Sequence, residues 1–390
     1  MSIDFATLQG LSIPEGVVTK IEDAAGRVLW ELVTSKPVVL EVEKIVSNTY
    51  AGETTYENEE FILLDIYPKS GGTVNVTYGG LAKTITDTSG AAEPNAQQVF
   101  FGTFNGVSDS VETPASGTLT INGDYYAFGL GAYARDSSSY KSSINCSCIT
   151  AIKDVGDTVH IPVNAFMNHP HGISTYKKAL KRIILKNGVE SIGNGAFSGC
   201  DGIEEMYIPS SVSNIYRDIF FEPYVGAIRG RNVILDDAHP TYRIVSGCVI
   251  RKDNPDKVDF GFVDAEIPQG VKTIGTKAFD SLPMEKSDFV IPNGVQTIEE
   301  YAFHSSTGIT TITIPASVTN VGQGAFYGIN SLKTVTFLGT TPPTAPDTSS
   351  TTYVFSDTYI EKIIVPPGCG AAYKSAPQWK RYEKYITEAL

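Results

Sequence analysis

Apolar residues in the second half of the chain recur at a fixed period. The segment from Ile291 to Phe303 returns as the segment from Ile314 to Phe326, with each apolar anchor displaced by 23 residues. The anchors that return are Val295, Ile298 and Ala302, which reappear as Val318, Val321 and Ala325. A constant period of this length predicts a solenoid, in which each unit buries its apolar face against its neighbours.

The same pattern continues upstream. Its anchors there are Ile267-Pro268, Val271, Ile274 and Ala278-Phe279, then Ile208-Pro209, Val212, Ile215 and Ile219-Phe220, then Leu185-Lys186, Val189, Ile192 and Ala196-Phe197. In each unit an alternation such as Ile312-x-Ile314 predicts a short strand with two inward side chains, and the proline that follows ends the strand. Ala-Phe then places a small residue beside a large one between layers.

This sequence pattern, IP-x-x-V-x-x-I-x-x-x-AF, resembles the BspA-like, or Treponema-type, leucine-rich repeats. The resemblance extends from Ile149 to Leu390 and includes Cys200, where that family often carries cysteine after Ala-Phe. Asp236 to Val258 resembles the family's longer repeat variant, and Ile363 to Ile386 its terminal repeat and cap. The resemblance implies a solenoid with short parallel strands that serves binding, and it leaves the ligand open.

The chain before the repeats has a different pattern, with short alternating runs separated by Gly, Ser and Asn. These runs are Val38 to Ile45, Phe61 to Tyr67, Thr73 to Tyr78, Leu81 to Thr86, Gln98 to Gly102, Gly117 to Asn122 and Tyr126 to Tyr133. They predict an antiparallel, Ig-like β-sandwich over residues 35–143. The serine-rich segment Asp136 to Ser143 is the predicted linker into a solenoid domain at 144–390, so the fold class is mainly β.

Residues 1–34 predict a β-hairpin with a polar turn at Asp23 to Gly26. Its sequence pattern, IPEG-x-V-x-K-I-x-D-x-x-G-x-V-L-W, resembles a short N-terminal leader segment of tail-associated proteins in phages and prophages of Gram-positive bacteria. The resemblance implies attachment to a particle through the apolar residues Ile21, Leu29, Trp30 and Leu32. The alternative is an ordinary first hairpin of the following domain, because a lone two-stranded hairpin is marginal in water.

Composition excludes some partners. A formal net charge of −13 argues against nucleic acid, whose phosphates require a concentrated basic face. No run of about eighteen apolar residues exists to insert into a membrane. We also read no secretory signal after Met1 and no anchor near Leu390, and five cysteines fit a reducing assembly compartment better than a disulfide framework.

The sequence offers no catalytic or cofactor motif, so we expect neither an enzyme nor a cofactor. The region Gly129 to Ala134 lacks the third glycine of a dinucleotide loop. Cys146-x-Cys148 and His169-Pro-His171 lack the further ligands of a metal site. We interpret the two cysteines as core residues and the two histidines as part of a loop, Asn168 to Lys178. No carboxylate pair supports glycoside hydrolysis.

The residues that flank the buried positions of each repeat face outward and form a candidate ligand-binding ladder. Its members are Arg182, Glu205, Tyr207, Asp264, Glu266, Asp288, Thr311, Thr313, Thr334 and Thr336. The alternative interpretation is a solvated parallel sheet, in which β-branched residues serve strand propensity.

We therefore expect a non-enzymatic phage or prophage tail-associated protein, assembled in the host cytoplasm and located in the virion tail. Its expected partners are other tail or baseplate proteins, a host cell-surface protein or glycan, and a second copy of the chain. The alternative is a BspA-like adhesin on a bacterial cell surface, and the lack of a recognisable signal and anchor favours the tail protein.

Overall fold

A computed structural model describes two compact units, Met1–Lys36 and Pro37–Leu390. The described residues are 20–22, 28–31, 38–43, 45–46, 60–68, 71–88, 97–104, 107–109, 114, 116–123, 125–129, 149–155, 160–161, 165–166, 180–200, 202–221, 228–346 and 353–390. Several predictions lie outside them: the linker Asp136 to Ser143, the Cys146 and Cys148 pair, the loop Asn168 to Lys178 with its two histidines, and Leu32.

The described secondary structure is mainly β, as predicted. Before the repeats the strands are β1 (Lys20–Glu22), β2 (Val28–Glu31), β3 (Val38–Glu43), β4 (Ile45–Val46), β5 (Glu60–Pro68), β6 (Thr73–Tyr78), β7 (Leu81–Thr86), β8 (Gln97–Phe104), β9 (Val107–Ser108), β10 (Ser116–Gly123) and β11 (Tyr125–Gly129). The first half of the repeats contains β12 (Ile149–Val155), β13 (His160–Ile161), β14 (Arg182–Ile184), β15 (Ser191–Ile192), β16 (Glu205–Ile208) and β17 (Val233–Leu235).

The second half contains β18 (Tyr242–Val245), β19 (Cys248–Arg251), β20 (Lys257–Gly261), β21 (Thr273–Ile274), β22 (Asp288–Val290), β23 (Thr297–Ile298), β24 (Thr311–Ile314), β25 (Asn320–Val321), β26 (Thr334–Phe337), β27 (Lys362–Val365) and β28 (Ile386–Glu388). The helix α1 spans Gly370–Ser375, and short 3₁₀ helices span Arg217–Ile219, Gly230–Asn232 and Lys380–Tyr385.

The repeats form two rows of parallel strands on opposite sides of a shared core. One row consists of parts of two sheets. The first part contains β12, β14, β16 and β17, and the second contains β22, β24, β26, β27 and β28. The other row contains the two-residue strands β13 with β15, and β21, β23 and β25. The longer repeat variant adds an antiparallel meander, β18–β19–β20, whose last strand pairs in parallel with β21.

The predicted repeat register is confirmed, since its anchors are buried. Phe197, Phe279, Phe303 and Phe326 have no exposed surface. The rings of Phe279, Phe303, Phe326 and Phe355 stack in sequence, with centroid distances of 4.9, 5.4 and 5.3 Å. These distances approach the spacing of hydrogen-bonded strands, about 4.8 Å, so the backbone spacing brings equivalent rings into contact.

Each predicted run before the repeats contains a strand, and β6 and β7 begin and end where the sequence indicated. Residues 130–133 of the last predicted run lie outside the described residues. Strands β3, β10, β6 and β7 belong to one sheet, and β11, β5, β8, β9 and β4 form another, in which β4 pairs with β5. Tyr78 of β6 and Phe101 of β8 meet edge to face at 5.7 Å within the core. An Ig-like topology is not confirmed.

The first sheet continues into the solenoid. Strand β3 pairs with β10 on one side and antiparallel with β12 on the other, and β12 pairs in parallel with β14. One sheet of eight strands, β17-β16-β14-β12-β3-β10-β6-β7, therefore crosses the predicted boundary between residues 143 and 144. Buried residues of both parts, such as Leu40 and Ile183, belong to one continuous core.

The unit Met1–Lys36 contains the predicted hairpin. Strands β1 and β2 are antiparallel, and Ile21 lies opposite Trp30.

The C-terminal end of the solenoid is covered as predicted from its resemblance to a terminal cap. Trp379 is buried against Phe337, and its indole N–H donates to the carbonyl of Pro343 at 2.8 Å. The buried Tyr373 of α1 donates its hydroxyl to the carbonyl of Gly339 at 2.9 Å. Strand β28 completes the sheet edge beside β27.

Replacing Phe303 with Ala removes the central ring of the stack between Phe279 and Phe326. Because its neighbours are fixed by backbone hydrogen bonds and cannot collapse into the space, we expect a loss of about 3 to 5 kcal/mol in the free energy of unfolding. Tyr359→Ala is the matched control, because Tyr359 is 65% exposed, and we expect a change within about 0.5 kcal/mol. Equal denaturation midpoints for the two variants would contradict the repeat register.

Candidate ligand-binding surface

The outward side chains of β22, β24, β26 and β27 form two regular columns. The first column contains Asp288, Thr311, Thr334 and Lys362, and the second contains Val290, Thr313, Thr336 and Ile364, all in direct register. The side chains between the columns, such as Ile312 and Val335, are buried. The hydroxyl of Thr311 donates to the carboxylate of Asp288 at 2.8 Å. We call this set the C-terminal face.

The corresponding positions of β14 and β16 are Arg182, Ile184, Glu205 and Tyr207. Arg182 and Glu205 lie in register and form an ion pair at 2.8 Å, while Tyr207 lies between Ile184 and Ile234. Burial, followed by the nearby carboxylate of Asp236, raises the pKa of Tyr207 above its ordinary value. Hydrogen bonds from the N–H of Ala238 and from Ser210 lower the pKa of Asp236. Tyr207 is therefore a neutral hydroxyl with an anionic neighbour.

Asp264 and Glu266 lie outside the sheet of β14 and β16 and outside the sheet of β22 to β28, in the part of the chain between β17 and β22. The Asp264 carboxylate is largely buried and accepts from the N–H groups of Gly230 and Arg231, at 2.6 and 3.3 Å. It therefore stabilises the 3₁₀ turn that begins there. Glu266 is exposed and pairs with Lys286. The predicted ladder is consequently divided into two groups by an ion-paired junction.

Sequence reasoning missed the last members of the surface. Lys362 and Ile364 extend the two columns of the C-terminal face, and Leu338 follows β26 with half of its surface exposed. The alternation in Lys362-Ile-Ile-Val365 before Pro366 was the available signal.

A polar network lies away from this surface, at the Ala-Phe turns. His304 Nδ1 lies 2.7 Å from Asp280 Oδ1, and its Nε2 lies 3.1 Å from Ser305 Oγ. Burial alone would raise the pKa of Asp280, but hydrogen bonds from His304 and Ser281 and the charge of Arg217 hold it below its ordinary value.

The atom order Asp–His–Ser is that of a hydrolase relay, but the surroundings of Ser305 differ from those of a nucleophile. Its N–H donates to the carbonyl of Tyr327 at 2.7 Å, so this backbone donor is not free to stabilise an oxyanion. Its Oγ lies against Gly328, where an added Cβ would be 2.9 Å away. We therefore assign the network to the packing of successive turns.

His239 is a second histidine with a structural role, and it is completely buried in the longer repeat variant. Its Nδ1 accepts from the N–H groups of Thr241 and Tyr242, at 3.2 and 3.1 Å. Nε2 must then carry the proton, and it donates to the carbonyl of Val212 at 2.8 Å. Burial lowers the pKa of His239 below its ordinary value, so the ring is held neutral.

Within the described residues, no group of three or more His, Cys, Asp or Glu side chains is arranged to hold a metal ion. The helices in that part of the chain are too short or too polar to cross a bilayer.

Two rows of parallel strands around a stacked core, with regular outward columns, define a solenoid of the leucine-rich repeat class. The model of the BspA type leucine-rich repeat region matches residues 172–224 and 260–376 in six copies. The repeats in these two ranges are therefore of the BspA type. The unmatched residues between the two ranges include β18, β19 and the first three residues of β20, so the meander interrupts the match.

The chain is also similar to several solved structures. It covers 54% of the pneumococcal vaccine antigen PcpA with 53% of its own residues, at 17% identity and a TM-score of 0.35. It covers 67% of a leucine-rich repeat protein from Eubacterium ventriosum with 54% of its own residues, at 16% identity and a TM-score of 0.34. For a leucine-rich repeat protein from Bacteroides ovatus, the chain covers 81% of that protein with 75% of its own residues, at 16% identity and a TM-score of 0.31. No curated protein matches the chain.

Acidification should destabilise the protein through His239. The unfolded chain protonates this histidine near pH 6.5, whereas the folded state resists protonation, so the unfolded state binds more protons below that pH. The stability present above pH 6.5 should therefore decline as the pH falls towards the lowered pKa of the folded state. His239→Gln retains a donor and an acceptor without titrating, and denaturation midpoints between pH 7.5 and 5 should show a shallower decline for this variant. An identical decline in both proteins would contradict the role of His239.

Proposed function

We propose that this protein recognises a ligand on a cell surface through the outward columns of its repeats, and that it binds rather than catalyses. The observation that supports the proposal is the C-terminal face. Its side chains are displayed at every second position of paired strands, on a scaffold whose alternate positions are buried. Rigid strands position a surface accurately, and stacked repeats present an extended one.

Two settings fit this role. In the first, the chain is a phage or prophage tail protein, and the hairpin of β1 and β2 joins it to other tail or baseplate proteins. Met1–Lys36 is a compact unit of its own, which supports a distinct attachment segment. In the second, the chain is an adhesin on a bacterial surface, a role that the BspA-type repeats support. The ligand is a surface protein or glycan in either setting.

Changing Thr313 and Thr336 together to Glu should abolish binding to cells. Both residues lie in the centre of the C-terminal face, and added carboxylates would be poorly tolerated in a desolvated contact. The measurement is retention of the labelled full chain on a panel of Gram-positive bacterial cells.

Gln296→Glu with Thr319→Glu is the matched control. These two residues are exposed beside the opposite row of strands, and their substitution adds the same charge. The control should bind like the unaltered chain, and both double variants should melt near its midpoint. Undiminished binding by Thr313→Glu/Thr336→Glu would refute the proposed surface.

Deleting residues 1–34 tests the attachment role of the hairpin. Because Met1–Lys36 is a unit of its own, we expect the shortened chain to keep the circular dichroism, melting midpoint and cell binding of the full chain. It should fail to enter assembled tails when it replaces the full chain in a producing strain. Loss of folded structure in Pro37–Leu390 would show instead that the hairpin is part of that unit.

A further inference from the structure

The strands β6, β7 and β10 have an outward face made almost entirely of hydroxyl and amide side chains. Its buried positions, such as Val74, Val76 and Ile121, alternate with half-exposed and exposed ones. The outward positions are Thr73, Asn75 and Thr77 on β6, Ala82, Thr84 and Thr86 on β7, and Thr118, Thr120 and Asn122 on β10. We call these nine positions the threonine face.

The threonine face is organised in rows across the strands. Asn122, Asn75 and Thr84 lie in register, as do Thr120, Thr77 and Ala82. Hydrogen bonds join neighbours within the rows, from Thr84 to Asn75 at 2.7 Å and between Thr73 and Thr86 at 3.1 Å. Side chains that are already positioned lose less conformational entropy when a ligand binds.

The threonine face also lacks charge. None of its nine positions is ionisable, although the chain carries a formal net charge of −13. Charged residues lie beside it: Glu41 of β3 is in register with Thr118, and Lys83 of β7 lies on the opposite side of the sheet, where it pairs with Asp109 at 2.6 Å and contacts the ring of Phe100. A strongly anionic partner therefore meets no cation at these nine positions.

The threonine face and the outward side of the first repeats belong to the same side of one sheet. The buried residues Val76 and Leu119 of the sandwich strands share one core with Ile183 and Met206 of β14 and β16. Because alternate residues point to opposite faces of a sheet, the opposite sides of these strands form one continuous surface. A ligand held by the first repeats could therefore extend over the sandwich.

We propose that the threonine face binds a neutral polysaccharide, which extends the proposed recognition function and rests on it. Each threonine hydroxyl both donates and accepts, as sugar hydroxyls do, and its methyl group can contact the C–H face of a sugar ring. Positions about 4.8 Å apart within a row, and rows about 6.8 Å apart along the strands, offer repeated equivalent contacts to a repeating polymer. Binding is weak for one sugar unit and becomes appreciable through many simultaneous contacts.

The test uses the full chain, with microcrystalline cellulose and cross-linked dextran as neutral probes and polygalacturonate as the anionic comparison. We expect the chain to be retained on at least one neutral probe and not on polygalacturonate. Thr77→Glu with Thr84→Glu should reduce that retention at least tenfold, whereas Thr77→Ser with Thr84→Ser, which keeps both hydroxyls, should restore most of it.

The inference would be overturned by a lack of retention on either neutral probe, or by unchanged retention of the Thr77→Glu/Thr84→Glu variant. It would also be overturned if the threonine faces of two copies associate. Sedimentation would then show dimers of the unaltered chain that are lost in the Glu variant. The Thr313→Glu/Thr336→Glu variant separates this inference from the proposed function. If that variant loses cell binding while the threonine-face Glu variant retains both cell and polysaccharide binding, the inference fails and the proposed function stands. If it binds cells normally, the proposed function fails.

Discussion

The stack of interior phenylalanines depends on backbone hydrogen bonds between successive turns. The N–H groups of Phe279, Phe303 and Phe326 donate to the carbonyls of the equivalent Ala302, Ala325 and Val354 in the next unit, at 2.7, 2.7 and 3.0 Å. The small residue before each ring leaves room for its neighbour. Backbone spacing and ring spacing thus reinforce each other, and the strands of both rows are held at the same distance.

This arrangement imposes a conformational constraint on the turns. The residue before Ala-Phe is left-handed in four units, at Gly195, Lys277, Tyr301 and Gly324, with φ between 55° and 67°. A left-handed conformation costs a non-glycine residue about 1 to 2 kcal/mol. Since Lys277 and Tyr301 adopt it nonetheless, the packing that the turn permits must outweigh the strain. The left-handed residues are a requirement of the repeat and mark no separate site.

Local regularity explains which features the sequence could predict. Period and alternation identified the buried anchors and the strands β6 and β7, because each depends on residues close together in the chain. The pairing of β3 with β12 was missed because it joins strands more than a hundred residues apart, and no local pattern encodes such a pairing. The break in the outward ladder was missed for a similar reason. Asp264 matched the pattern, but its carboxylate is occupied by the N–H of Gly230, 34 residues upstream.

The coverage of both ends of the repeat array has an evolutionary consequence. Strand β3 pairs along the first edge, while β28, α1 and Trp379 cover the last one. Internal units contact only their neighbours, so a whole unit can be gained or lost between the ends without exposing an unpaired edge. Duplication of one unit would add one residue to each outward column and leave the strands before the repeats and the terminal cap unchanged. The reach of the surface can therefore change in discrete steps while the fold is preserved.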